Sequence, residues 1–260
     1  MDLNLTGRRA LVTGGSKGIG LAIAAELSAE GADVAICARN AEELEAAAAQ
    51  LRGSGRTVHA QVADVTDAAQ VAELVRRTAA GLGGLDILVN NAGAAHPGNF
   101  ESLTDDDWRA DLDVKLFSQI RCTREALPHL RESAAPRVIN INSVYARYPD
   151  PSFFATTVNR AACLNLSKAL AQEFAADGIL VNSINIGLVV TPQWENIRRR
   201  RAPDATPGEY FARLATDEVP LGRFGTVDEV SGIVAFLASD RASYLTGTSI
   251  DVAGGMGRYV

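Results

Sequence analysis

The run Arg8 to Thr13 ends in Gly14-Gly15-Ser16-Lys17-Gly18-Ile19-Gly20, and Gly18 to Ala29 reads at once as a helix. A strand that turns into a helix through glycines has few folds open to it. Glycine permits the tight turn and lets the backbone come close to a ligand, while the first helical turn leaves N–H groups without partners. Those N–H groups sit at the positive end of the helix and suit a phosphate. The segment predicts the opening of a βαβ unit that binds a dinucleotide, with Gly14, Ser16, Lys17, Gly18, Ile19 and Gly20 as cofactor contacts and the glycines close to the pyrophosphate.

The same alternation continues along the chain. Asp33 to Ala38 reads as a second strand, Ala41 to Leu51 as a helix, Thr57 to Val62 as a strand and Asp67 to Leu82 as a helix. Asp86 to Val89 is a fourth strand, and one long helix is expected from about Thr104 to Leu130. Arg137 to Asn142 makes a fifth strand and Ser152 to Ala176 a further helix. Strands near Ile179 to Ile184 and Thr248 to Val252 flank a last helix, Thr226 to Leu237. Strands separated by helix-length segments need right-handed crossovers, which place helices on both faces of a parallel sheet. The expected class is α/β, a doubly wound parallel sheet of about seven strands in a single domain over residues 1–260. Thr191 to Leu221 stands apart, with Trp194, a basic run Arg198 to Arg201 and prolines at 192, 203, 207 and 220. It is expected to be an irregular loop covering the substrate site.

Composition narrows what such a site can serve. A hydrophobic content of 47% with 22% charged residues suits a globular chain that buries its own core. Cys37, Cys122 and Cys163 lie far apart and the chain has three histidines, so neither a disulfide framework nor a metal site is expected. A net charge of −6 argues against a nucleic-acid surface. Met1-Asp2-Leu3-Asn4-Leu5 lacks the basic and apolar regions of a signal peptide, and no apolar run reaches membrane-spanning length. A soluble, cytoplasmic protein acting on a small molecule, with no nucleic-acid or membrane partner, is the expectation.

Thr13 to Gly20 resembles the TGxxxGxG motif of short-chain dehydrogenases/reductases, and Asn90-Asn91-Ala92-Gly93 resembles their NNAG segment. The likeness extends to Gly222-Arg223-Phe224-Gly225, Phe236-Leu237-Ala238-Ser239-Asp240 and Gly254-Gly255, and so covers practically the whole chain. It implies a Rossmann fold and nicotinamide-dependent oxidoreduction of a carbonyl or hydroxyl group. It also implies cofactor contacts at Asp64 and Val65 beside the adenine, at Asn91, Ala92 and Gly93, and at Gly187, Val189 and Thr191. A homotetramer or homodimer built on the two long helices and the C-terminal region is implied as well. Family members that use NAD end the second strand with an acid, whose carboxylate would repel a 2′-phosphate. Here Ala38-Arg39 stands there, with Lys17 in the glycine loop. Two cations can clamp a phosphate, so NADP(H) is favoured over NAD(H).

At the catalytic positions the resemblance breaks. The family carries Asn, Ser, Tyr and Lys, the last two spaced YxxxK. Tyr is the acid/base, Lys lowers its pKa and holds the ribose, Ser positions the carbonyl and Asn supports a water relay. Ser143 fits the serine, while Arg160 to Ala171 aligns with the stretch that begins at the family lysine. Arg160 therefore stands for the lysine and Thr156 for the tyrosine, and counting on from Trp108 puts Lys115 at the asparagine. Ile186-Gly187 replaces the usual Pro-Gly. A threonine hydroxyl is a poor acid near neutrality, and arginine stays ionised; Arg160 can hold ribose hydroxyls but cannot shuttle protons.

Three local sources can replace the missing proton donor. Lys115 would face the site with its pKa depressed by Arg160, or else form an i,i+4 ion pair with Asp111. Tyr145 and Tyr148 are substitute phenols or pocket walls, and His96 is an acid/base or a solvated loop residue. Phe153 and Trp194 read as apolar walls of the substrate pocket. Arg198 to Arg201 reads as a receiver for an anionic substrate or a phosphopantetheine carrier, or as a solvated helix face. The leading expectation is an NADP(H)-dependent oxidoreductase in which Ser143, with Lys115 or Tyr145, stabilises or protonates the developing alkoxide. The alternative is a dehydratase, an isomerase or a catalytically silent cofactor-binding protein on the same scaffold.

Overall fold

A strand covered on both faces needs apolar residues at successive positions, and the first strand, β1 (Arg9–Thr13), shows where they go. Ala10 and Val12 enter one core with Ile23 and Leu27, whereas Leu11 enters the other with Leu74 and Leu130. The computed structural model describes residues 3–257, so Met1 and Asp2 of the N-terminal stretch read above lie outside the described residues. Further strands are β2 (Asp33–Ala38), β3 (Val58–Val62), β4 (Ile87–Asn90), β5 (Arg137–Ser143), β6 (Leu180–Ile186) and β7 (Ser249–Val252). All pair in parallel in one seven-stranded sheet, ordered β3-β2-β1-β4-β5-β6-β7. The expected doubly wound sheet is what forms.

Crossovers supply both covering layers. On one face lie α1 (Gly18–Ala29), α2 (Ala41–Arg52) and α9 (Val227–Ala238); on the other lie α3 (Ala68–Leu82), α5 (Ser118–Arg131) and α6 (Phe154–Glu173). Leu11 of β1 stands opposite Ala35 of β2 and Leu88 of β4. Strand order reverses between β1 and β4, so their C-terminal ends open a crevice, the usual ligand site of such sheets. Short polar side chains start the helices: Asn40 accepts from the Glu43 N–H, and Asp67 accepts from the N–H groups of Ala69 and Gln70.

Two segments differ from their sequence reading. The expected single helix of 104–130 is α4 (Asp105–Leu112), a π-helical turn over Asp113–Phe117, and α5. The extra residue in that turn changes the direction of side chains along the run, and Lys115 lies in it. The stretch 191–221, expected to be irregular, holds α7 (Pro192–Arg201) and α8 (Pro207–Glu218). Two of its four prolines begin helices rather than break them. Pro192 and Pro207 occupy the first helical position, where the missing N–H costs nothing, behind capping residues Thr191 and Thr206. No helix among the described residues is long and apolar enough to cross a membrane.

Candidate active site

The glycine loop and the NNAG segment form one structure. Asn91 Nδ2 donates to the carbonyl oxygens of Thr13 and Gly14 at 2.9 and 3.2 Å. Thr13 Oγ1 accepts from the N–H groups of Asn91 and Ala92, both at 3.0 Å. Gly14 has φ +67°, a region that favours glycine, and a Cβ on Gly20 would overlap both the Gly14 carbonyl oxygen and the Asn91 amide. Above this cradle a cleft of about 530 Å³ runs from Lys17, Arg39 and Asp64 to Ser143, Thr156 and Trp194. A glycine cradle at a helix N-terminus, leading into a cleft of this volume, fits a dinucleotide.

The end of the cleft beside β2 and α2 holds two cations in different states. Lys17 Nζ donates to both carboxylate oxygens of Glu43 at 2.8 Å, and both side chains are well exposed. Arg39 is exposed after β2 and makes no ion pair among the described residues. Asp64 is turned inward on its own loop, accepting from the N–H and hydroxyl of Thr66 at 2.9 and 2.8 Å.

Side chains from three segments build the other end. Lys115 is 1% exposed, and its Nζ donates to Asp111 Oδ1 and, at 3.3 Å, to Thr156 Oγ1. Asp111 also accepts from Asn159 Nδ2 at 2.8 Å and from the Thr156 hydroxyl at 3.3 Å. Burial lowers the Lys115 pKa, the Arg160 charge lowers it further, and Asp111 opposes both, leaving it at about 8. Arg160 Nη1 donates to the Ile141 carbonyl at 2.8 Å, and its Nη2 lies beside Gly93; its buried Nε has no partner among the described residues. Ser143 Oγ accepts from the Tyr145 N–H at 3.2 Å. The Tyr145 ring stacks on Phe153 with centroids 5.6 Å apart. Burial, then the nearby Asp150 carboxylate, push the Tyr145 phenol well above its ordinary pKa.

Residues 14–257 match the family model described as enoyl-(acyl carrier protein) reductase. Oxidoreductase UcpA of Escherichia coli K12 is 38% identical over 252 residues, 96% of this chain and 95% of its own length. The chain belongs to the short-chain dehydrogenase/reductase family. It is thereby an enzyme of oxidoreductase type. Two solved structures are close to this one. L-Sorbose reductase from Gluconobacter frateurii, in complex with NADPH and L-sorbose, is 33% identical with a TM-score of 0.97 over 100% of both chains. A short-chain oxidoreductase from Pseudomonas aeruginosa PAO1 with bound NADPH, described as containing an atypical catalytic center, is 42% identical. Its TM-score is 0.92 over 98% of this chain and 99% of its own.

Within this short-chain dehydrogenase/reductase cleft, the residues named from sequence as cofactor contacts all line the walls, from Gly14 to Thr191. Ser143, Lys115, Tyr145, Thr156 and Arg160 meet at its far end, and Phe153 and Trp194 wall it there. His96 and Tyr148 do not line it. His96 Nε2 turns away to Asp107 Oδ1 at 3.2 Å, which corrects its placement as a substrate-facing group, and Tyr148 likewise lies outside. The basic run divides. Arg198 is nearly buried, paired with Glu195 and donating to the Ala205 carbonyl, so it braces α7 rather than receiving an anion. Arg201 lies 5.9 Å over the Phe153 ring.

Sequence reasoning missed Glu43, Asn159 and Gln193, whose Oε1 accepts from the Ala95 N–H at 3.0 Å. Glu43 lies in the first turn of α2, just past Arg39, so its place at that end of the cleft had a local signal. Asn159 had none.

Proposed function

We propose that this protein is an NADP(H)-dependent carbonyl reductase whose proton comes from Lys115 and not from the family's tyrosine. The observation that carries this reading is the buried Lys115 ammonium 3.3 Å from the Thr156 hydroxyl, at the end of the cleft that Ser143 and Arg160 share. NADPH, when bound, supplies the hydride that reduces the carbonyl carbon. Thr156 gives its hydroxyl proton to the forming alkoxide and takes one from Lys115, so an alcohol leaves and a neutral amine remains. A threonine alone is too weak an acid, but with an ammonium behind it the hydroxyl need only relay. Ser143 donates a second hydrogen bond to the same oxygen. Arg160 stays charged and holds ribose hydroxyls. Tyr145, whose phenol is harder to ionise than usual, is a wall.

The P. aeruginosa protein with an atypical catalytic center and bound NADPH supports both halves of this reading. Arg39, exposed and without an acidic partner among the described residues, favours a 2′-phosphate over a bare ribose. Tyr145, Phe153, Leu188 and Trp194 point to a small carbonyl compound with apolar or aromatic bulk. Single-turnover oxidation of NADPH against ketones and quinones tests the assignment, and absence of turnover above buffer across such a panel overturns it. Reduction needs the ammonium form, so its rate should fall as pH rises through about 8.

A further inference from the structure

We infer that Asp111, held in place by Asn159, is a positioning residue that keeps Lys115 charged at neutral pH. The inference rests on Lys115 being the proton source. The Asp111 side chain has 0% exposure and so cannot touch substrate. Both its oxygens are engaged: Oδ1 by Lys115 Nζ and the Thr156 hydroxyl, Oδ2 by Asn159 Nδ2 at 2.8 Å. Donors on both oxygens fix the orientation of this buried carboxylate and satisfy its polar atoms.

Three titratable or charged groups bear on the Lys115 ammonium: Asp111 from α4, and Arg160 and Cys163 from α6. Arg160 repels it. The Cys163 thiol is pushed up, chiefly by burial, and carries no charge near neutrality. Asp111 is thus the counter-charge among them. Without it, desolvation and Arg160 act unopposed, the amine is neutral at physiological pH, and Thr156 has no proton to relay. Asn159 acts one step further out, by fixing the carboxylate that fixes the lysine.

Lys17, Lys115 and Lys168 are the three lysines of the chain, so the full-length protein labelled with carbon-13 at lysine Cε gives few signals, and Lys115→Met assigns the relevant one. Lys115 should titrate near 8 in the unaltered protein. In Asp111→Asn, which keeps the shape and removes the charge, its midpoint should fall by about one to three pH units while Lys17 and Lys168 stay put. Asn159→Ala should move it the same way by less, and carries the test if Asp111→Asn does not fold. The basic limb of the pH–rate profile should move with the midpoint, whereas a merely structural role lowers the rate equally at every pH. An unmoved or raised midpoint in the folded variants overturns the inference. Full turnover by Lys115→Met would instead overturn the reading it rests on, and leaves the titration readable.

Discussion

At its phosphate end the cleft is made of backbone, and at its reacting end of side chains. Gly14, Gly18 and Gly20 shape the first by what they lack, and Asn91 ties the loop by bonding carbonyl oxygens. Lys115, Thr156 and Arg160 make the second from two helical segments of the chain, held by a buried network around Asp111. A backbone cradle depends on conformation, which few residues can satisfy. A side-chain constellation depends on charge and reach, which other residues can supply if their surroundings change too. This chain has both kinds of construction in one cleft, a glycine cradle at one end and a buried lysine among side chains at the other.

The strongest way to break this comparison is at Lys115. Lys115→Met keeps most of the side chain and removes the ammonium with its proton, so carbonyl reduction should slow by about 10²–10⁴-fold while NADPH affinity holds. Single-turnover rates and a fluorescence titration of NADPH measure the two separately. Equal loss of both would mean that Lys115 serves the cradle and the two ends are not independent.

The converse change is Gly20→Ala. Its Cβ has nowhere to go without moving the Gly14 carbonyl or the Asn91 amide. It should cost about 1–3 kcal/mol of stability, with NADPH affinity falling about tenfold to a hundredfold. Thermal unfolding and the same titration check it. A variant that binds NADPH normally would show that the loop is looser than its packing indicates.

These two sites also differ in how far they could be read in advance. The cradle was legible because its glycines are contiguous and stand between a strand and a helix. Lys115 and Asp111 were legible as an ion pair, since they lie one turn apart. Thr156 and Asn159 reach that pair from a helix more than forty residues further on, by contacts at separations of 41 and 48. No local pattern reports such a meeting, nor the π-helical turn that carries Lys115. The two helices of 191–221 are another matter. Thr206-Pro207-Gly208-Glu209 is a capping box with proline at the first position, a start signal that proline's more general role as a helix breaker obscures.

At the adenosine end the comparison can be sharpened by the two cations. Arg39→Ala should weaken NADPH binding by about tenfold, the scale of one charge-assisted hydrogen bond, and leave NADH affinity unchanged. Paired titrations with the two nucleotides decide it. Equal weakening of both would place Arg39 against the adenine or ribose instead of a 2′-phosphate.

Glu43→Gln gives the smallest effect and the most discriminating one. Lys17 is held by Glu43 through two bonds at 2.8 Å, but the side chains are 58% and 43% exposed, so the pair is weak. A 2′-phosphate carries more charge than a carboxylate and can draw Lys17 away, at the cost of leaving Glu43 facing the phosphate. Removing the carboxylate charge lifts both penalties, and NADPH affinity should rise by up to about fivefold while NADH affinity changes little. Added salt should shrink the gain, because exposed charges are screened over about 10 Å at 0.1 M. Equal gains for both nucleotides would assign Lys17 to the shared pyrophosphate. No gain for either would leave Arg39 as the sole phosphate ligand and Lys17 as a brace between the glycine loop and α2.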